Sequence, residues 1–168
     1  MSLEKLELMI IDDDPNWLDL LTDGMSRKGY DVVTAKGSYQ AIDQIAIRLS
    51  KDRSLPDIFL CDMLDRNQII AKITVRDELK NIYVAMAYNM LNYLATKGIK
   101  PEYFVAQSAF ISPEDAAIAA ELGIPLITRE NKQLDGFFPD LKGLTRLEAL
   151  RRFAENYSAT MRSLRPAN

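Results

Sequence analysis

The chain has 168 residues, which is a typical length for one domain. Hydrophobic residues make up 48% of it, enough for a folded core, and this excludes an intrinsically disordered protein. The net charge of −3 is spread along the chain without a polybasic run, so we expect neither nucleic acid nor an anionic membrane surface as a partner.

Two reactive residue types are missing or rare. The absence of histidine excludes histidine bases, histidine metal ligands and a phosphohistidine carrier. The only cysteine, Cys61, excludes an internal disulfide, a cysteine-type zinc site and an iron–sulfur cluster, and we interpret it as a small buried hydrophobe. No apolar run is long enough for a membrane span or a signal peptide, so we expect a soluble cytoplasmic protein.

The first half of the chain alternates short apolar runs with amphipathic segments. A strand at 6–11 leads through Asp12-Asp13-Asp14-Pro15 into a helix that Gly29 ends. A strand at 30–35 precedes a helix that Ser38 is predicted to cap. A buried strand at 57–61 then ends at Asp62.

The second half continues the alternation. Residues 74–97 contain no Gly or Pro and carry apolar residues at helical spacing, which predicts one long helix with Thr74 and Asp77 as a capping pair. A strand at 103–107 ends at Ser108, and a helix beginning near 112 is stopped by Gly123.

The last part of the chain completes the pattern. A strand at 124–128 ends at Arg129, and residues 131–143 have the composition of a loop. Thr145 and Glu148 form a capping box for a last helix over about 145–164. Five strand–helix alternations predict a doubly wound parallel sheet covered on both faces, a three-layer α/β/α architecture. We expect a single domain over 1–168, with an elongated segment at 66–100.

Polar residues stand where the predicted strands end. If the first and third strands are neighbours, Asp12, Asp13 and Asp62 converge at the edge where ligands bind in open α/β sheets. Oxygen ligands alone favour a hard cation, Mg²⁺. Ser108 and Arg129 would add a donor and a cation suited to a phosphoryl group. Taken singly, the acids can equally be helix caps, Ser108 can satisfy a loop, and Arg129 can be a solvated charge.

Two segments carry a family resemblance. Residues 8–15 (Leu8-Met9-Ile10-Ile11-Asp12-Asp13-Asp14-Pro15) and 55–62 (Leu55-Pro56-Asp57-Ile58-Phe59-Leu60-Cys61-Asp62) resemble a response-regulator receiver domain of two-component signalling. The match is good over residues 6–65 and holds in outline over 103–129. The resemblance implies a flavodoxin-like strand order of 2-1-3-4-5.

The resemblance also implies roles for individual residues. Asp62 would be the phosphoacceptor. Mg²⁺ would bind Asp13, Asp62 and the backbone carbonyl of Leu64, with Asp12 acting nearby or through water. Ser108 would be the switch hydroxyl. Arg129 aligns with the lysine that follows the fifth strand in the family, and Lys132 is the alternative for that position.

These observations predict a signalling domain, not a conventional enzyme. We expect phosphorylation by a partner histidine kinase or histidine phosphotransfer protein, because the chain has no histidine of its own, and output through protein contacts. A degenerate receiver that is an unphosphorylated interaction module is the alternative, favoured by Arg129 and by the unusual residues after Asp62. A Mg²⁺-dependent hydrolase would need an acid at position 64, which is Leu64.

A second surface is also predicted. Within helix 74–97, Ile82, Met86, Met90 and Tyr93 can form an additional apolar stripe, which suggests a partner or homodimer surface. The alternative is that the loop at 131–143 or the last helix covers this stripe.

Overall fold

The computed structural model describes residues 4–63, 86–109, 111, 113–129 and 133–163. Within them, strands and helices alternate as the sequence predicts as far as the fifth strand, after which two helices follow. The elements are β1 (Glu7–Ile11), α1 (Pro15–Arg27), β2 (Asp31–Ala35), α2 (Ser38–Ser50), β3 (Ile58–Asp62), α3 (Met86–Thr96), β4 (Tyr103–Ser108), α4 (Pro113–Leu122), β5 (Leu126–Thr128), α5 (Gln133–Phe137) and α6 (Arg146–Ser163).

The five strands form one parallel sheet in the order β2-β1-β3-β4-β5, which confirms the predicted fold class and strand order. Strand β1 lies between β2 and β3, with Ile11 in register with both Ala35 and Cys61. Since all strands run the same way, the residues that follow β1, β3, β4 and β5 meet at a single edge. We call this the carboxyl edge.

Each face of the sheet has its own core. Strand residues alternate between the faces, as the pleat of a strand requires. Met9 and Phe59 belong to the core that α2 and α3 cover, and Leu8 and Leu60 belong to the core that α1, α5 and α6 cover. Among the residues that the structure describes, no helix combines the length and the apolar character needed to cross a membrane.

Helix α3 corrects the predicted apolar stripe. Met86, Met90 and Leu94 are all fully buried in the core shared with α2, so the two methionines cannot contribute to an exposed contact surface. Helix α3 packs against β3 and α2, and these elements, rather than the last helix, cover the two methionines. Tyr93 is half-buried, and the predicted helix residues 74–85, including Ile82 and the capping pair, lie outside the described residues.

Helix starts were predicted with mixed success. Thr145 and Glu148 form the expected capping box, each backbone N–H donating to the other's side chain at 2.9 and 3.2 Å. The predicted Ser38 cap is wrong, because Ser38 is already the first helical residue and Gly37 precedes it with φ of 120°. This backbone conformation favours glycine, so the turn itself sets the start of α2.

The predicted loop at 131–143 contains the short helix α5. Tertiary contacts hold it in place, since Lys28 Nζ donates to the carbonyls of Asp135 and Phe138 at 2.5 and 2.7 Å. The Tyr30 hydroxyl donates to the carbonyl of Pro139 at 2.9 Å. Residues 135–139 therefore lie against the turn between α1 and β2, and local composition alone does not reveal such an arrangement.

The edge opposite the carboxyl edge, which we call the amino edge, carries two arginine–carboxylate pairs. Arg48 of α2 binds both carboxylate oxygens of Glu7, one of them at 2.9 Å. Arg146 of α6 binds both oxygens of Asp57, one of them at 3.1 Å. Asp57 also accepts the backbone N–H of Glu7 at 2.8 Å, which ties the starts of β1 and β3 together.

Candidate functional site

The carboxyl edge brings the predicted acids together. Asp12 directly follows β1 and is fully buried, and Asp62 ends β3 with 8% exposure. One carboxylate oxygen from each of Asp12, Asp13 and Asp62 lies within 4.8 Å of the others. The adjacency of β1 and β3 explains this convergence, because it places the ends of both strands side by side.

Asp12 is held in place by the turn into α1. Its Oδ1 accepts the backbone N–H of Asp14 at 2.9 Å, while Asp14 caps α1 by accepting from Asn16 and Trp17. The consecutive acids therefore have different roles: Asp14 caps helix α1, and Asp12 faces the crevice. Burial raises the pKa of Asp12 above its ordinary value of 3.8, although the Asp14 N–H and the Arg129 charge favour its ionised form.

Arg129 reaches back from the end of β5 to the acids. Its Nη2 forms an ion pair with Asp12 Oδ2 and another with Asp62 Oδ2, the latter at 3.3 Å. The guanidinium carbon lies 4.6 Å from the centre of the Trp17 ring, a cation–π contact. The Arg129 Nε is buried and has no hydrogen-bond partner within the part of the chain that the structure describes.

Sequence reasoning missed one residue of this site, Gln107. Gln107, fully buried in β4, accepts a hydrogen bond from Trp17 Nε1 at 3.0 Å and approaches Asp12 Oδ2 with its Nε2 at 3.5 Å. Gln107 pairs with Asp62 in the β3–β4 register. A glutamine directly after the apolar run Phe104-Val105-Ala106 was the available signal, since a buried amide needs partners.

Ser108 occupies the next strand end. It is the last residue of β4 and is 8% exposed, and its carbonyl accepts the backbone N–H of Arg129 at 3.1 Å. The register pairs it with Thr128 of β5. The other two residues named for this site, Leu64 and Lys132, lie outside the described residues.

The donor set fits a divalent cation. One oxygen from each of the three carboxylates lies within 4.8 Å of the others, and among the described residues Arg129 forms ion pairs with two of the three acids. The ligands are all oxygens, and the neighbouring Cys61 side chain is fully buried. Closely spaced carboxylates offer hard oxygen ligands, and such ligands suit Mg²⁺.

Solved structures of receiver domains share this fold. The Vibrio cholerae chemotaxis protein CheY4 has a TM-score of 0.58 at 12% identity, over 89% of this chain and 99% of that one. A Francisella response-regulator receiver domain has a TM-score of 0.54 at 16% identity, over 93% and 99%. A CheY-like receiver domain from Methanospirillum hungatei has a TM-score of 0.55 at 15% identity, over 93% and 99%.

The likeness is one of fold. No family model and no curated protein matches the chain. The sheet order and the flanking helices are those of the CheY-like receiver fold of response regulators, which confirms the resemblance noted in the sequence. Because one fold hosts many functions, the chemistry of the carboxyl edge depends on its own residues.

Proposed function

We propose that this chain is a phosphoacceptor receiver of a two-component phosphorelay, with Asp62 as the phosphorylated residue. The observation that carries the proposal is the convergence of Asp12, Asp13 and Asp62 at the carboxyl edge, where one carboxylate oxygen of each lies within 4.8 Å of the others. Three carboxylates this close together would oppose the addition of a phosphoryl group unless a cation is recruited. The site therefore has a use for a divalent cation that a simple structural ion pair does not have.

Asp62 has the position that a nucleophile needs. It ends a fully buried strand, so its carboxylate is presented from a rigid base while retaining access to the crevice. A carboxylate oxygen of Asp62 attacks the phosphorus of a phosphohistidine, and the leaving imidazole nitrogen keeps the electron pair of the broken P–N bond. The histidine belongs to a partner kinase or phosphotransfer protein, because this chain contains none.

The remaining residues would stabilise the transferred group. Asp12, Asp13 and Asp62 would hold Mg²⁺, together with the backbone carbonyl of Leu64. When bound, the ion neutralises charge on the phosphoryl oxygens. Ser108 would donate a hydrogen bond to one of these oxygens, and Arg129 would offer its guanidinium once it leaves the carboxylates. Output would pass through protein contacts.

Acetyl phosphate, a small phosphodonor, tests the proposal directly. With Mg²⁺, the protein should gain the mass of one phosphoryl group in a form labile to hydroxylamine, and chelation should prevent the gain. Asp62→Asn should abolish it. Asp57→Asn is the matched control, because Asp57 flanks the same strand at the opposite edge and should leave phosphorylation intact.

One observation favours a second candidate function. Arg129 already pairs with both Asp12 and Asp62, so the acids are partly neutralised without any ligand. A degenerate receiver used only for protein contacts would need no cation at these acids other than Arg129. If the wild-type protein stays unmodified and also fails to bind beryllium fluoride, this second function replaces the first.

A further inference from the structure

Arg129 is held from three directions. Asp12 and Asp62 bind its Nη2 from the ends of β1 and β3, and Trp17 of α1 lies against the guanidinium. The Arg129 side chain is only 17% exposed. An arginine at a strand end has ordinarily much more freedom, so these contacts restrict its position.

The Trp17 ring is itself fixed. Its Nε1 donates to Gln107 Oε1 at 3.0 Å, and the other end of the same amide approaches Asp12. Trp17 and Gln107 thus form a continuous support from α1 to β4 that ends at the carboxylate Arg129 binds. We call this pair of residues the clamp.

We propose that the clamp holds Arg129 on Asp12 and Asp62 as an internal counter-cation, which a divalent metal ion must displace in order to bind. This inference rests on the metal site proposed above. Arg129 contacts Oδ2 of Asp12 and of Asp62, and these are two of the three acids that would hold the cation. Two cations at the same carboxylates repel each other, so occupancy by one lowers the affinity for the other.

The held position also has a cost that favours release. Arg129 Nε is buried without a partner among the described residues. A buried donor that lacks its hydrogen bond is unfavourable, and a guanidinium that moves outward regains that bond with water. The resting state is therefore a balance, in which the clamp and the two acids retain Arg129 although its buried Nε lacks a hydrogen-bond partner among the described residues.

Mn²⁺ binding, followed by electron paramagnetic resonance of the free ion, tests the proposal in the full chain. Trp17→Leu leaves the net charge unchanged and should tighten Mn²⁺ binding by about threefold to tenfold, the equilibrium effect of losing one cation–π contact. Arg129→Ala should tighten it by about tenfold or more, because it removes the competing charge altogether. Tyr88→Leu and Arg146→Ala are the matched aromatic and arginine controls away from the site, and both should bind as the wild type does.

A second readout follows Trp17, the only tryptophan, during titration with Mg²⁺, which does not itself quench fluorescence. Wild-type emission should change with saturation as the guanidinium leaves the ring, whereas Arg129→Ala should bind the metal without that change. If Trp17→Leu does not fold, Gln107→Leu removes the support of the ring and should also tighten Mn²⁺ binding.

The outcomes separate the two proposals. Equal Mn²⁺ dissociation constants in the wild type, the clamp variant and Arg129→Ala would overturn the displacement mechanism and leave the metal site standing. Weaker binding in Arg129→Ala would also overturn it, because the arginine would then support the metal instead of competing with it. A failure of every protein to bind Mn²⁺ would overturn the metal site and the displacement mechanism together.

Discussion

The two edges of the sheet use the same kinds of side chain in different proportions. At the amino edge, Glu7 and Asp57 each have their own arginine, bound through both carboxylate oxygens. At the carboxyl edge, the described residues place one arginine, Arg129, among three acids. Among the described residues, the amino edge is therefore balanced, with one arginine for each acid, and the carboxyl edge is unbalanced, although both clusters lie at strand ends.

Hydrogen bonding sharpens the contrast. Arg48 and Arg146 also donate to the backbone carbonyls of Ser54 and Lys5, at 3.1 and 3.3 Å. The hydrogen bond to Glu7 raises the pKa of Arg48, so this guanidinium stays charged. Arg129 instead retains a buried Nε without a partner in the described residues. Unbalanced, partly unsatisfied polar groups are typical of binding sites, whereas satisfied ones are typical of structural contacts.

The largest expected effect on stability comes from disrupting the balanced edge. Glu7→Ala removes the partner of Arg48, whose side chain is only 17% exposed. We expect the free energy of unfolding to fall by about 2 kcal/mol, because a mostly buried guanidinium loses its bidentate carboxylate. Urea denaturation followed by circular dichroism measures this change.

The control is a pair of the same chemistry on the surface. Asp23 and Arg27 of α1 form an ion pair at 2.8 Å with 61% and 78% of their side chains exposed. Asp23→Ala should change the free energy of unfolding by no more than about 0.5 kcal/mol, since solvent screens such pairs. A Glu7→Ala effect as small as this would mean that the amino edge contributes little to stability.

A change at the unbalanced edge should have the opposite sign. In the absence of divalent cations, Asp62→Asn should raise the free energy of unfolding by about 1 kcal/mol, because it removes one of three crowded negative charges. Arg129 keeps its ion pair with Asp12 in this variant. Mg²⁺ should reduce the difference by stabilising the wild type selectively, which thermal denaturation with and without the ion measures. If Asp62→Asn is instead less stable than the wild type, Asp62 has a structural role like that of Glu7 and Asp57.

The smallest effect is a pH dependence carried by Asp12. Burial raises the folded-state pKa of Asp12 above its ordinary value of 3.8, so its contribution to stability is fully present below that pH and is lost as pH rises through the folded-state pKa. Without divalent cations, the stability of the wild type relative to Asp12→Asn should therefore decrease from about pH 4 toward neutrality. A difference that is flat or increases over that range would contradict the burial argument.

The sequence was informative wherever a residue stood out from its surroundings. Asp12, Asp62 and Ser108 follow apolar strands, and a parallel sheet brings such ends together regardless of loop detail. The fold and the acidic cluster could be predicted for this reason. The roles assigned to these residues, to Asp13, Leu64 and Arg129, and to the metal stay predictions that the experiments above address.

Other features depend on contacts between distant segments. Gln107 and Trp17 are 90 positions apart, and only the placement of α1 over the end of β4 joins them. In the sequence, Met86 and Met90 suggest an additional exposed apolar surface on a helix with apolar residues on several sides. A helix that is buried on several sides has the same pattern, and both methionines are buried. Helix α5 contains Gly136 and gains its stability from Lys28 rather than from its own composition.

The two cores have a consequence for how the chain emerges during synthesis. The described members of the core under α2 and α3 extend no further than Leu126, so its components are available once β5 has been made. The opposite core also requires Phe138 and Phe153, which come much later. Leu8 and Ile10 then face an incomplete layer until α6 has also been made. One side of the sheet can therefore be covered earlier in synthesis than the other, which requires residues more than a hundred positions beyond β1.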